Sequence, residues 1–216
     1  MKKNVRARVC SLVLCLMLAV LAGCSPSGRE FAPTGNGMYI SKEGMLSTAF
    51  VVSVDQSYYT EADMRAFCEA EVKEYNRSKG ASAVAYQEEA AEEETLPVAI
   101  QSLTFGSQAQ LILNYATPED YLAFNEKDET TAKSVIYAAA KNTTGLPDIS
   151  LVSVKDGTKI AAGSIIGDGK LMILMVEGEQ NVQVDGKLVY YSENVTPTGE
   201  DTAVTAAEGH SYLVFK

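Results

Sequence analysis

VQVDGKLVYY, residues 182–191, sets an Asp-Gly pair between two apolar alternating runs. Val182 and Val184 precede an Asp-Gly pair and Leu188 and Tyr190 follow it. Asp-Gly readily takes the positive φ angles of a tight turn, so the pattern predicts two paired strands closed at Asp185-Gly186. Asp156-Gly157 and Asp168-Gly169 punctuate neighbouring apolar runs in the same way. Residues 202–206 and 211–215 read as a last hairpin around Glu208-Gly209-His210. Between these turns, residues 171–176 (LMILMV) are apolar at every position, which predicts a central strand buried on both faces.

Working toward the amino terminus, residues 38–54 are rich in β-branched and apolar side chains, with Lys42-Glu43-Gly44 as a turn within one long or two short strands. The spacing then predicts a helix over 61–77. Thr60 caps it with Asp63 three residues on, Tyr59 and Met64 stand at hydrophobic-staple positions, and Arg77, Lys79 and Gly80 end it. Met64, Phe67, Cys68, Val72 and Tyr75 recur at helical spacing as its inward face. The acidic run YQEEAAEEET within 81–95 reads as a solvated helix face or a mobile insertion.

Period-two alternation returns at 98–105 and 109–115, joined through Gly106-Ser107, with Ala109, Leu111, Leu113 and Tyr115 on one face. Thr117-Pro118-Glu119-Asp120 starts a short helix, and the Ala-rich stretch 131–141 predicts a second one ending near Gly145. Strands and helices are segregated and strand connections are short. The expected architecture is α+β: a mostly antiparallel sheet with one long and one or two short helices, following a cleaved signal peptide.

That leader has Lys2, Lys3, Arg6 and Arg8 ahead of an apolar stretch of about a dozen residues, shorter than the roughly 20 that a spanning helix requires. It closes on LAGC, residues 21–24, and there the chain resembles bacterial lipoprotein precursors, whose motif is an aliphatic residue, a small residue, Gly or Ala, then Cys. The resemblance implies cleavage between Gly23 and Cys24 and a diacylglyceryl group on the Cys24 sulfur. It implies a protein held at the extracytoplasmic face of a bacterial membrane through that lipid. Two acyl chains anchor where one is marginal. The organisation expected is a signal peptide over 1–23, a lipidated Cys and Gly/Pro/Ser-rich tether over 24–37, and a single α+β domain over 38–216. The segments LILNYATPEDYLAFN and VQVDGKLVYYSENV also resemble uncharacterised lipoproteins of Gram-positive anaerobes, a likeness that implies no activity.

Charge narrows the partners. Removing the leader takes away four basic residues and leaves 14 Lys plus Arg against 28 Asp plus Glu, a formal charge of about −14. A nucleic-acid partner needs a basic patch, and none survives cleavage. Cys10 and Cys15 leave with the leader and Cys24 is taken by lipid. Cys68 is then alone, without an intramolecular disulfide, and reads as a small buried hydrophobe.

Candidate chemistry is sparse. His210 is the one histidine, and its neighbours Glu208 and Ser211 do not make a catalytic triad. Zinc wants several Cys or His ligands. Asp148, Asp156, Asp168 and Asp185 are oxygen donors without the close spacing of a calcium loop, and three of them precede Gly in turn positions. Gly163, Gly167 and Gly169 assemble no phosphate loop. Tyr58-Tyr59 and Tyr190-Tyr191 could each offer one ring to a sugar platform, since adjacent strand residues point to opposite faces. No cofactor, metal site or catalytic residue is selected. The expectation is a non-enzymatic binding or structural role at the cell envelope, with a protein or glycan partner. The alternative is a small hydrolase or accessory subunit of a glycan or peptide system, built on a carboxylate pair.

Overall fold

The computed structural model describes residues 31, 33–54 and 60–216, and among these described residues are thirteen strands and two α-helices. In chain order they are β1 (Gly37–Ile40), β2 (Leu46–Ser53), α1 (Glu61–Ser78), β3 (Val98–Phe105), β4 (Gln108–Tyr115), α2 (Pro118–Phe124) and β5 (Ser134–Ala139). There follow β6 (Ser150–Ser153), β7 (Lys159–Ala161), β8 (Met172–Glu177), β9 (Asn181–Val184) and β10 (Leu188–Ser192). The last three are β11 (Thr196–Pro197), β12 (Thr202–Val204) and β13 (His210–Phe215). The chain is α+β, with two sheets in place of one: β11-β12-β9-β1-β2-β4-β3 and β5-β8-β13-β10-β6-β7. Every pairing is antiparallel except β1 with β9.

The two sheets share one core. Met38, Ile40, Leu46, Leu113 and Val182 of the first sheet cluster with Leu174, Val176, Leu213 and Phe215 of the second. Alternation along β8 turns Ile173 the other way, into a smaller cluster with Leu151, Ile165, Leu171 and Val214. This two-sided burial is why residues 171–176 carry no polar side chain. In β3 the register slips between Ile100 and Ser102, so that Leu103, and not Ser102, lies opposite Leu111. A bulge of this kind restores the inward face after an extra residue.

Three local readings hold. β1 and β2 pair across the Lys42–Gly44 turn, with Gly44 at φ +89°. β3 and β4 pair around Gly106-Ser107. α1 spans 61–78, and Thr60 Oγ1 accepts the Asp63 N–H at 3.1 Å. The staple partner Tyr59 lies outside the described residues.

Four readings are corrected. Residues 182–191 are not a hairpin. β9 pairs with β1 and β12 in the first sheet, whereas β10 pairs with β13 and β6 in the second. The Asp185 N–H donates to the Ile40 carbonyl at 2.9 Å, and Lys187 and Lys216 exchange backbone hydrogen bonds at 3.0 and 3.1 Å, so each flank continues a different ladder. Gly186 sits at φ +132°, and a Cβ there would collide with the Lys216 carbonyl. The final hairpin is also a sheet-to-sheet crossing: β12 pairs with β9 and β11, and β13 inserts between β8 and β10. Residues 134–139 form β5, paired along its whole length with β8, and only a 3-10 turn at Ala140–Asn142 follows. The β-branched and aromatic residues in SVIY, and a buried strand needing a neighbour, override the helix propensity of alanine. Of the Asp-Gly pairs, only Asp156-Gly157 closes a hairpin, between β6 and β7.

The acidic stretch 81–95 is an irregular loop with one 3-10 turn at Gln87–Glu89. Glu94 closes it, accepting from Ser82 N at 2.8 Å and Ser82 Oγ at 2.6 Å. These hydrogen bonds hold its carboxyl below the usual range.

α1 is joined to the edge of the first sheet by Asn76, which is fully buried. Its Nδ2 donates to the carbonyls of Val84 at 2.9 Å and Val98 at 2.8 Å, and its Oδ1 accepts the Val98 N–H at 3.0 Å. The edge strand β3 is thereby hydrogen-bonded at a point where no further strand follows. Replacing Asn76 with Ala strands the two buried backbone groups of Val98 and the partly buried Val84 carbonyl, at about 1–3 kcal/mol for each buried group. Urea unfolding of Asn76→Ala is expected to show a stability loss of roughly 3 kcal/mol or more; a midpoint equal to wild type contradicts this role.

Candidate functional site

Between α1, the first sheet and α2 lies an open cleft of about 600 Å³. Its floor is Phe50 of β2 with Leu111 and Leu113 of β4; Phe50 is the direct cross-strand partner of Leu111. One wall is α1, through Phe67, Cys68, Glu71 and Val72, two pairs of residues each four apart and so stacked on neighbouring helical turns. The other is the end of α2 and the chain after it, through Phe124, Asn125 and residues 127–129.

The walls are held by aromatic and polar contacts. Thr117 caps α2, its Oγ1 accepting the Asp120 N–H at 3.1 Å, and Pro118 fills the first turn. Tyr75 Oη donates to Asp120 Oδ1 at 3.1 Å, and the Tyr75 ring meets Phe124 edge-on, with centroids 5.3 Å apart. Asn125 Nδ2 donates to the Tyr121 carbonyl at 2.8 Å and to Tyr115 Oη at 3.1 Å. Tyr115 Oη shares a further hydrogen bond with Thr48 Oγ1 at 3.0 Å. Burial pushes the Tyr115 and Tyr121 phenols up, so both remain neutral donors and acceptors.

Asn125 is 9% exposed. Because the Tyr121 carbonyl can only accept, the amide nitrogen must face it, and that fixes which end of the side chain is oxygen. Asn125 Oδ1 accepts no hydrogen bond among the described residues. It is an acceptor in a mostly apolar cleft. Phe67, which lines the same cleft, is 65% exposed. At the rim are Glu71, Asp128 and Glu129 with one cation, Lys127. Among the described residues neither Glu71 nor Glu129 forms an ion pair.

Other candidates fall elsewhere. Gly23, Cys24 and Tyr58-Tyr59 lie outside the described residues. His210 opens β13, with Nε2 3.4 Å from Glu177 Oε2, beside a second cavity of about 530 Å³. Ser192, in that cavity, donates to Asn194 Oδ1 at 2.6 Å and accepts the Tyr212 N–H at 2.8 Å. Its hydroxyl therefore holds the backbone and is not hydrogen-bonded to the imidazole. Asp156 Oδ1 accepts from Thr158 N and Oγ1, Asp168 Oδ1 from Lys170 N, and Asp185 is buried at the sheet crossing with Lys42 N 3.5 Å away. Asp148 is exposed. Among the described residues no group of three or more His, Cys, Asp and Glu side chains gathers as a metal site. Tyr190 and Tyr191 do face opposite ways, Tyr191 against the main core and Tyr190 against the smaller one.

The inward stripe of α1 shifts from the expected one. Val72 and Asn76 are buried and Met64, Cys68 and Tyr75 pack against the core, while Phe67 turns to the cleft. The sequence signal for this was present: Phe67 stands to one side of the 64-68-72-75 row. Nothing local marks Asn125. No family model matches the chain, and no curated protein or solved structure shows significant similarity to it.

Cys68 is half-buried, and burial pushes its thiol up from the ordinary value. A raised pKa leaves less thiolate at about pH 8.5, and the thiolate is the reacting form. Iodoacetamide is expected to alkylate the folded protein several-fold more slowly than the urea-unfolded chain at that pH. Equal rates contradict the environment described.

Proposed function

We propose that this chain is a lipid-anchored extracytoplasmic binding protein, tethered through an acylated Cys24 and receiving an apolar ligand in the cleft between α1 and α2. The observation that carries the binding half is the cleft itself. Phe50, Leu111 and Phe124 are only partly covered, Phe67 is exposed, and the volume of about 600 Å³ falls in the range of small-molecule sites. The anchoring half rests on LAGC at residues 21–24 behind a basic and apolar leader. Among the described residues no helix is long and apolar enough to cross a membrane. In this reading a lipid at Cys24 supplies the membrane contact. A net acidic domain is repelled by anionic lipid, which favours a site that stands off the surface.

Two readouts test the halves separately. A neutral fluorophore such as N-phenylnaphthylamine is expected to bind saturably and to slow Cys68 alkylation, because Cys68 lines the cleft. Non-saturating uptake with unchanged alkylation sinks the binding reading. In cell fractionation, Cys24→Ala is expected to move the protein out of the membrane fraction; a processed variant that stays there sinks the anchor.

A further inference from the structure

We infer that the ligand is a small amphiphilic primary amine, its apolar body on Phe50, Leu111 and Phe124 and its ammonium group between Asn125 and the acidic rim. This rests on the binding reading above and gives that site its chemistry. Three observations converge. The floor is apolar. Asn125, nine-tenths buried, has both amide-nitrogen hydrogen bonds directed into the fold and leaves Oδ1 as an acceptor without a donor. That oxygen is not itself buried, so a molecule in the cleft that brings an N–H or O–H can reach it. At the mouth Glu71, Asp128 and Glu129 face one Lys127, so the field at the opening is negative.

An ammonium satisfies both demands, since it carries three donors and a positive charge. One N–H reaches Asn125 Oδ1 and the remaining ones face the carboxylates. An anionic amphiphile meets the same floor but is repelled at the mouth. A quaternary ammonium has the charge and lacks the donor. The cavity volume fits a small molecule with a short aliphatic or aromatic body.

The test displaces bound N-phenylnaphthylamine from the full-length chain with four probes below their micelle concentrations: decylammonium, decyltrimethylammonium, decanol and decyl sulfate. Decylammonium is expected to bind about tenfold tighter than decyltrimethylammonium or decanol, with decyl sulfate weakest; a tenfold ratio corresponds to 1.4 kcal/mol. The double variant Glu71→Gln/Glu129→Gln changes two exposed side chains. It is expected to weaken decylammonium by about tenfold and to leave decanol unchanged. Equal affinity for all four probes overturns the amine assignment while leaving apolar binding intact. Equal affinity of the two ammonium probes overturns the hydrogen bond to Asn125. Failure of every probe and of the fluorophore overturns both this assignment and the binding reading.

Discussion

Three residues, Asp185, Gly186 and Lys187, must carry the chain from one sheet to the other, and the architecture depends on that crossing. On one side, β9 lies between β1 and β12; on the other, β10 lies between β13 and β6. The Asp185 N–H extends the first ladder through Ile40, and Lys187 extends the second through Lys216. Only glycine fits at 186, where φ is positive and the Lys216 carbonyl occupies the place of a Cβ. With the crossing in place, Val182 and Val184 enter the same core as Leu188, Leu213 and Phe215. A local hairpin would instead have paired β9 with β10 and left the β1 and β13 edges without their present partners.

The cleft follows from how the remaining apolar surface is covered. The inner faces of β2 and β4 continue beyond the shared core to Phe50 and Leu111, and there the helices cover them in part. Asn76 holds α1 against the β3 edge and Tyr75 ties it to α2. The walls are therefore fixed by hydrogen bonds at one end, and the floor between Phe67 and the chain after Phe124 is left apolar beneath a charged rim. Fixed walls make a site preformed, and a preformed site avoids the ordering cost of closing around a ligand.

What could be read from the residues in advance was local. Thr60 with Asp63, Thr117 with Pro118, and the alternation on either side of Gly106-Ser107 specify their elements with little help from the rest of the chain. The misread segments are those whose partners are distant in sequence. SVIYAA, residues 134–139, looks helical by its alanines until β8 pairs with it, and the 182–191 and 202–215 stretches look like hairpins until β1, β6 and β8 compete for their strands. Asp185-Gly186 supplies the right local conformation for either outcome, so turn chemistry alone could not decide between them. The candidate site was less legible still. Phe50, Leu111 and Asn125 come from three separate elements, and the acceptor on Asn125 becomes significant only after Tyr115 and Tyr121 have taken its nitrogen.

The crossing can be observed directly by nuclear Overhauser contacts between backbone protons in the 182–192 region. The crossing requires parallel-strand contacts between Met38–Ile40 and residues 182–184, together with antiparallel contacts between Tyr191 and both Val152 and Leu213. Cross-turn contacts between Val182 and Tyr190 and between Val184 and Leu188, with the β1 contacts missing, would contradict it.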